Sequence, residues 1–199
     1  LYYEQAAALI DGGVDLLLIE TSQDILEVKA AIIGIRKALA EKNLTLPIQA
    51  QITLDTTGKM LLGTDIAAAL TILEGLSIDV IGLNCSTGPE HMRSSIAYLG
   101  ENTHLPISCI PNAGLPLNID GEAVYPMAPA PFSEMLLDFV KDNKINVVGG
   151  CCGTTPEHIN LLVKALQDVK PEAREINSTA RLSSATLSTT MQQEPPPFL

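Results

Sequence analysis

The chain alternates short apolar runs with longer amphipathic stretches. Five of the apolar runs are nearly continuous, which is typical of strands that are covered on both faces, as in parallel sheets. These runs occupy residues 15–21, 47–55, 79–86, 106–114 and 146–153. They predict a buried sheet built from five strands.

Helical periodicity fills the intervals between these runs and follows the last of them. The helical patterns occupy residues 22–42, 63–76, 88–102, 130–143 and 155–169. A strand with its helix takes about 30 to 40 residues, the length of a βα unit. Five such units fit either an open doubly wound sheet or the greater part of an eight-unit barrel. No G-x-G-x-x-G follows the first strand, so a dinucleotide-binding unit has no support.

Polar or reactive side chains stand at the carboxyl ends of the predicted strands. In a barrel these ends form one ring, where the active site lies. The pattern therefore favours a (β/α)8 TIM barrel over the doubly wound sheet. The residues concerned are Glu20, Asp55, Cys85, Asn112, Cys151 and Cys152.

The two ends of the chain differ from its middle. The sequence opens inside an amphipathic helix with no capping residue ahead of it, which indicates a fragment. Residues 171–199 are rich in Ser and Thr and end in a proline run, as expected of a linker. We therefore divide the chain into a barrel piece at 1–170 and an interdomain linker at 171–199. The apolar close at 196–199 indicates a further domain beyond it.

Composition narrows the classes of partner. The 199 residues carry a formal net charge of −11, and Lys and Arg do not cluster, which argues against nucleic acid and anionic membranes. The chain has four cysteines, no secretory leader and no apolar run long enough to span a bilayer, so we expect a reducing cytoplasm. Small molecules and proteins remain open as partners.

The segments 81–92 and 148–159 repeat one pattern. Aligned without gaps, IGLNCSTGPEHM and VGGCCGTTPEHI share Gly, Cys, Thr, Pro, Glu and His at the same offsets. In each copy a strand ends in Cys, a turn of small residues follows, and a Pro suits the first turn of the next helix. Cys85 and Cys152 thus occupy equivalent places, with Cys151 beside them.

Three interpretations of these cysteines stay open at this point. Three thiolates from two nearby strand ends form a recognised ligand set for Zn²⁺. Buried free cysteines are also common as inert core residues. Redox chemistry of the adjacent pair is the third interpretation, although adjacent cysteines form a disulfide only by distorting the backbone.

Two residues bear on whether such a site would be open. Cys109 precedes its strand end among apolar residues, so we expect a buried side chain; as a fourth ligand it would close the site and make it structural. Asn112 is expected at the rim, where its side-chain oxygen would hold the fourth position loosely until a substrate displaces it.

The remaining candidates carry weaker signals. Glu20 is either a solvated strand end or a carboxylate that points into the barrel mouth and pairs with a cationic group on the substrate. Asp55 has the same two interpretations, and its surroundings also read as an ordinary turn. His91 and His158 are expected to have hydrogen-bonding or surface roles.

GLNC at 82–85 and GGCCGTTPEHI at 149–159 together resemble the zinc-dependent homocysteine S-methyltransferase family. The blocks at 19–31, 52–65 and 110–116 are also similar to blocks of that family. The resemblance implies a (β/α)8 barrel of which this chain carries roughly the fourth to eighth strands, with the first three units missing. It also implies zinc bound by Cys85, Cys151 and Cys152, and Glu20 on the substrate ammonium.

The blocks at 110–116 and the tail at 171–199 most resemble the cobalamin-dependent long form of the family. There the homocysteine-binding barrel is followed by folate-binding, cobalamin and reactivation domains of the same polypeptide. The resemblance implies that the zinc-bound thiolate of homocysteine, rather than a protein nucleophile, accepts a methyl group from methylcobalamin to give methionine. The alternatives are a betaine- or S-methylmethionine-dependent enzyme, or a zinc or thiol-redox barrel fragment without methyl transfer.

Overall fold

A computed structural model describes residues 1–170, 172–176 and 179–191. Six helices and nine strands form in these ranges. The helices are α1 Tyr2–Asp11, α2 Ile25–Glu41, α3 Ile66–Gly75, α4 Pro89–Asn102, α5 Pro129–Asp142 and α6 Pro156–Leu166. The strands are β1 Leu17–Ser22, β2 Ile48–Ile52, β3 Val80–Asn84, β4 Ile107–Ile110, β5 Leu117–Ile119, β6 Glu122–Val124, β7 Val147–Val148, β8 Arg181–Ser183 and β9 Ser188–Thr190.

The five predicted strands form one parallel sheet in the order β1-β2-β3-β4-β7. The prediction of an α/β chain with a buried parallel sheet is therefore confirmed. The order rises without reversal, whereas a doubly wound sheet reverses its strand order at a switch point. This order is compatible with part of a barrel, but five strands do not close one. The eight-stranded barrel stays a prediction.

The two faces of the sheet differ in chemistry. One face is apolar and packs on the helices, as the contact between Cys109 on β4 and Met92 on α4 illustrates. On the opposite face Gln51, Gly82 and Ser108 lie side by side in register on β2, β3 and β4. The Gln51 amide donates to the Ser108 hydroxyl at 2.7 Å, and a Cβ at Gly82 would lie 2.7 Å from Ser108. A small residue between them is therefore required.

Two hairpins were not predicted. The first, β5–β6, is exposed and lies between β4 and α5. The second, β8–β9, lies within the predicted linker and packs on α3. There the Thr64 hydroxyl donates to the Ala185 carbonyl at 2.6 Å, and the Thr186 carbonyl accepts from the Asp65 N–H at 3.2 Å.

Part of the predicted linker is thus folded against the sheet domain. Its assignment as an interdomain linker stays a prediction, and residues 171, 177, 178 and 192–199, including the apolar close at 196–199, lie outside the described residues. In the described ranges, the helices are all too short or too polar to cross a membrane.

Candidate metal centre

Three thiols from distant parts of the sequence meet at the carboxyl end of the sheet. Cys85 follows β3, and Cys151 and Cys152 follow β7. The Sγ of Cys152 lies 3.8 Å from that of Cys85 and 3.9 Å from that of Cys151. All three sulfur atoms lie within 4.8 Å of one another. We call this group the thiol cluster.

The end of β4 and the residues that follow it, 110–113, hold both cysteine loops in place through backbone hydrogen bonds. This segment lies between the two loops because β4 pairs with β3 on one side and with β7 on the other. The four bonds are Cys85 N–H to Ile110 O at 3.2 Å, Asn112 N–H to Thr87 O at 3.0 Å, Cys151 N–H to Pro111 O at 2.8 Å, and Ala113 N–H to Cys152 O at 2.9 Å. The thiol cluster is therefore built on a shared backbone scaffold.

The loop after β3 adopts an uncommon backbone conformation. Cys85 and Ser86 have φ angles of 60° and 65°, in the left-handed region that residues with a side chain rarely occupy. Such a conformation costs about 1 to 2 kcal/mol per residue. Strained residues of this kind concentrate at functional sites.

The spacing of the sulfur atoms fits a tetrahedral metal ion. Zinc binds thiolates at about 2.3 Å, so two ligands of a tetrahedral site lie about 3.8 Å apart. The two measured separations, 3.8 and 3.9 Å, agree with this value. Thiolate ligands also select soft ions such as Zn²⁺ over Mg²⁺ or Ca²⁺. The donor set therefore fits zinc.

Electrostatics also favours a cation at this place. Two unit charges 4 Å apart interact by about 4 kcal/mol near a protein surface, so three thiolates cannot ionise together without a compensating charge. Burial, and next the charge of Cys85, raise the pKa of Cys151 to about 12. Burial also opposes ionisation of Cys152, but the neighbouring Tyr125 phenol and the two other thiols outweigh it and lower the pKa of Cys152.

Cys109 lies on the other face of the sheet. Its side chain is fully buried, and its Sγ contacts the Met92 sulfur at 3.8 Å. Burial raises the pKa of its thiol far above the ordinary value. The prediction of a buried side chain is confirmed, and the thiol cluster excludes Cys109 because side chains alternate between the two faces of a strand.

Asn112 is buried rather than at the rim, so that part of the prediction is wrong. Its side chain is 1% exposed, and its Oδ1 accepts a hydrogen bond from the Cys152 N–H at 3.1 Å. The chain folds back over Asn112 because the loop after β7 pairs with residues 111–113. Its role in substrate binding stays a prediction.

Glu20 lies apart from the thiol cluster, on the first strand of the sheet. A bulge in β1 between Ile19 and Ser22 places it in an exposed position, where it lines a cavity of about 320 Å³ between α1, β1 and α2. Its neighbour Thr21 is tied to β3, since the Thr21 N–H donates to Asn84 Oδ1 at 2.8 Å. Asn84 directly precedes Cys85, so this bond connects the two strand ends.

Asp55 forms an ordinary turn, as the residues around it indicated in the sequence. Its carboxylate accepts from the Thr57 hydroxyl at 2.6 Å and from the Lys59 N–H at 3.2 Å. These hydrogen bonds, that of Thr57 first, hold the pKa of Asp55 below its usual value.

The two histidines of the repeated pattern, His91 and His158, have different environments. His91 is exposed and lies 3.9 Å from the Glu90 carboxylate. His158 is buried, and its Nδ1 accepts from the Thr155 N–H at 3.1 Å. The proton must then lie on Nε2, which donates to the Met127 carbonyl at 3.0 Å. The prediction of hydrogen-bonding or surface roles is confirmed for both.

Tyr125 was missed in the sequence. It lies between β6 and α5, and its ring lies against Gly153, the residue that follows Cys152. The only signal in the sequence is a single aromatic residue in an irregular segment, which predicts no partner.

Comparison with known proteins places the chain among named relatives. The family model described as homocysteine S-methyltransferase matches residues 1–166. The methionine synthase of Mycobacterium tuberculosis (strain ATCC 25618 / H37Rv) is 43% identical over 183 residues, which is 92% of this chain and 15% of that protein. The methionine synthase of Mycobacterium leprae (strain TN) is 44% identical over 165 residues, which is 83% of this chain and 14% of that protein. The chain thus spans a small part of the length of these relatives.

Solved structures of similar fold come from the homocysteine methyltransferase MmuM of Escherichia coli. Its apo form has a TM-score of 0.58 at 22% identity and covers 82% of this chain and 57% of that one. Its metallated form has a TM-score of 0.57 at 23% identity and covers 80% of this chain and 51% of that one.

Proposed function

Because the chain belongs to the homocysteine S-methyltransferase family, we propose that it binds homocysteine through zinc and presents the substrate sulfur for methylation to methionine. The observation that carries this proposal is the thiol cluster, whose sulfur separations of 3.8 and 3.9 Å suit one tetrahedral ion. Among the solved structures of similar fold, MmuM has a metallated form.

Cys85, Cys151 and Cys152 would hold the ion. Bound zinc would supply a position for a substrate thiol and favour its deprotonated, nucleophilic form. The three thiols would fill three positions of a tetrahedral ion, and the substrate thiol would take the fourth. Exposure of Cys152 leaves one side of the thiol cluster accessible to it.

The surrounding residues orient these ligands. Asn112 fixes the Cys152 backbone through its Oδ1, and the Thr154 hydroxyl donates to the Cys151 carbonyl at 2.7 Å. Groups that orient metal ligands in this way commonly change metal affinity by about 10- to 100-fold when removed. We infer that Asn112 acts on substrate binding by holding Cys152.

Glu20 would bind the substrate ammonium group. It stands at the carboxyl end of β1, two strands from β3, and neighbouring strands lie about 4.8 Å apart. The Glu20 side chain is exposed, and the bond between Thr21 and Asn84 fixes its strand end against the cysteine loop. Two strand spacings amount to about 10 Å, so a carboxylate at this strand end would receive the far end of a small amino acid whose sulfur binds at the thiol cluster.

The fold of the complete domain would be a (β/α)8 barrel, with the sheet described here forming its fourth to eighth strands. The unreversed strand order supports this, as does the gathering of Glu20, Cys85 and the two later cysteines at the carboxyl ends of strands.

The methyl donor would be methylcobalamin, carried by another domain of the same polypeptide. The resemblance to the long form of the family supports this donor, and so does the small share of the methionine synthases that this chain covers. Residues 171–199 would lead toward a folate-binding domain. Cysteine usage supports a cytoplasmic location.

Methionine formation by the full-length protein from homocysteine and methylcobalamin tests this function. We expect Cys85→Ala, Cys151→Ala and Cys152→Ala to abolish product, and Cys109→Ala, which alters a thiol on the other face of the sheet, to retain it. Product formed with betaine or S-methylmethionine but not with methylcobalamin would contradict the donor, and activity in all four variants would contradict the zinc site.

A further inference from the structure

A buried asparagine connects the two parts of the proposed substrate site. Asn84 is the last residue of β3, directly before Cys85, and its side chain is fully buried. Its Oδ1 accepts from the Thr21 N–H at 2.8 Å, and its Nδ2 donates to the Thr21 hydroxyl at 2.8 Å. The two bonds reach past β2 to β1, where Thr21 directly follows Glu20. We call this pair of hydrogen bonds the clamp.

The clamp holds β1 at its bulge. The pairing of β1 with β2 shifts register between Ile19 and Ser22, so Glu20 and Thr21 share the place of one residue. Thr21 has a φ angle of 56°, in the left-handed region that a β-branched residue rarely occupies. Bulges and strained residues of this kind concentrate at functional sites. The clamp gives both the N–H and the hydroxyl of this strained residue a partner.

A buried threonine includes β2 in the same network. Thr53 follows β2, and its hydroxyl donates to the Asn84 carbonyl at 3.0 Å. The Thr53 N–H donates to the Ser22 carbonyl at 2.9 Å. The carboxyl ends of β1, β2 and β3 are thus joined by hydrogen bonds. Because a buried polar group without a partner is costly, these bonds favour one arrangement of the three strand ends.

A fixed arrangement matters for a ligand that is held at both ends. Under the proposed function, the sulfur of homocysteine binds at the thiol cluster and its ammonium group binds Glu20. Anchor points that are already in place bind more tightly, because the protein does not have to order them when the ligand arrives. Asn84 connects the two anchor points, since it directly precedes Cys85 and bonds to the residue after Glu20.

We propose that Asn84 and Thr21 are positioning residues, whose clamp holds the Glu20 carboxylate at a fixed separation from the thiol cluster. The inference rests on the proposed function, because it takes the zinc-bound sulfur and the Glu20 carboxylate as the two anchor points of the substrate. It deepens that function by assigning the separation of the anchor points to one pair of hydrogen bonds.

The test compares two ligands on the full-length, zinc-loaded protein without a methyl donor. One ligand is homocysteine, and the other is γ-mercaptobutyrate, which has the same thiol chain but no amino group. Thr21→Ala removes the clamp hydroxyl from an exposed residue, and Thr21→Ser retains it. Thr71→Ala removes a hydroxyl that bonds to the Ala67 carbonyl within α3, and is the control away from the site. Calorimetric titration gives both dissociation constants, and chelator competition gives the zinc affinity.

We expect Thr21→Ala to weaken homocysteine binding about tenfold, because the ammonium group loses a well-placed carboxylate. Binding of γ-mercaptobutyrate and of zinc should stay within about twofold, because neither depends on Glu20. Thr21→Ser should recover most of the homocysteine affinity, and Thr71→Ala should match the unaltered protein with both ligands. Glu20→Gln combined with Thr21→Ala should weaken homocysteine binding no more than Glu20→Gln alone, because Thr21 acts through Glu20.

Thr53→Val tests the same network without altering the strained residue. It removes the donor to the Asn84 carbonyl with little change in shape, and we expect homocysteine binding to weaken about threefold. Unchanged homocysteine binding in Thr21→Ala and Thr53→Val, or equal losses for the two ligands, would overturn the inference and leave the zinc proposal standing. Additive losses from Glu20→Gln and Thr21→Ala would do the same.

Two results with the unaltered protein separate this inference from the proposed function. Equal affinity for the two ligands would overturn the role of Glu20 and, with it, the inference, but not the zinc site. In the Co²⁺-substituted protein, a sulfur-to-metal charge-transfer band that neither thiol changes would overturn the proposed function and the inference together.

Discussion

The loop after β3 and the loop after β7 share one sequence pattern, yet they reach the thiol cluster by different backbone routes. In the first, Cys85 and Ser86 adopt left-handed conformations themselves. In the second, Gly153 at φ 77° takes the left-handed position and Cys152 does not. The equivalent residues Cys85 and Cys152 therefore reach one point in different ways. The first loop uses strained residues that carry side chains, and the second uses a glycine at the left-handed position.

The two loops also differ in how the next helix begins. Thr155 caps α6 in a reciprocal arrangement with the buried His158. The equivalent Gly88 offers α4 no side-chain cap and instead packs tightly, because a Cβ there would lie 2.6 Å from Gly114 Cα. The repeated sequence therefore determines the positions of the cysteine ligands. The burial of the two histidines and the capping of the two helices depend on the surrounding chain.

The largest expected effect comes from removing a thiol of either loop. Cys85→Ala or Cys152→Ala should weaken zinc binding by at least about 100-fold, because a thiolate ligand is lost from each. Cys109→Ala should bind zinc like the unaltered protein. The measurement is chelator competition on full-length protein, and equal losses in all three variants would contradict the assignment of ligands.

The next prediction compares the two left-handed positions, one occupied by Gly153 and the other by Ser86. Gly153→Ala places a side chain at φ 77° and against Tyr125, so we expect a loss of about 2 kcal/mol or more in stability and a clear loss of zinc affinity. Ser86→Gly relieves a left-handed serine and should raise the free energy of unfolding by no more than about 1 kcal/mol. Denaturant titration and chelator competition measure both, and effects of the same sign in the two variants would contradict the comparison.

A smaller effect is expected at the scaffold between the loops. Asn112→Ala removes the acceptor for the Cys152 N–H and should lower zinc affinity about tenfold. Asn118→Ala, which removes a similar side-chain acceptor from the exposed β5–β6 hairpin, is the matched control and should leave zinc affinity unchanged. A zinc affinity in Asn112→Ala equal to that of the control would show that Cys152 needs no such support.

The last effect, on stability alone, distinguishes the two histidines. His158→Ala leaves the Thr155 N–H and the Met127 carbonyl without their partner in a buried place, which costs about 1 to 3 kcal/mol. His91→Ala alters an exposed side chain and should stay within about 0.5 kcal/mol. Thermal unfolding of both variants measures this, and similar melting temperatures would argue against the asymmetry of the two loops.

Periodicity and strand-end chemistry predicted the sheet, the six helices of the described residues and the meeting of the three thiols. These features follow from local patterns, because parallel strands bring their carboxyl ends to one edge. The alternation of side chains along β4 also explains why Cys109 lies outside the thiol cluster, since its neighbours Ser108 and Ile110 lie on the opposite face.

The features that were missed depend on distant partners. Asn112 is buried because the loop after β7 folds over it, and Tyr125 lies at the thiol cluster because Met127 is pinned to Ala113 and His158. The β8–β9 hairpin has a linker-like Ser and Thr composition, but its polar groups bond to α3, as Ser188 does to Thr71 at 3.1 Å. None of these contacts leaves a periodic trace in the sequence.

Zinc K-edge X-ray absorption on the full-length protein, with and without homocysteine, tests the central claim most directly. The account predicts three sulfur neighbours and one lighter atom without substrate, and four sulfur neighbours with it. Absence of zinc, or four sulfur atoms already present before homocysteine is added, would contradict the claim that the three thiols leave a position open for the substrate.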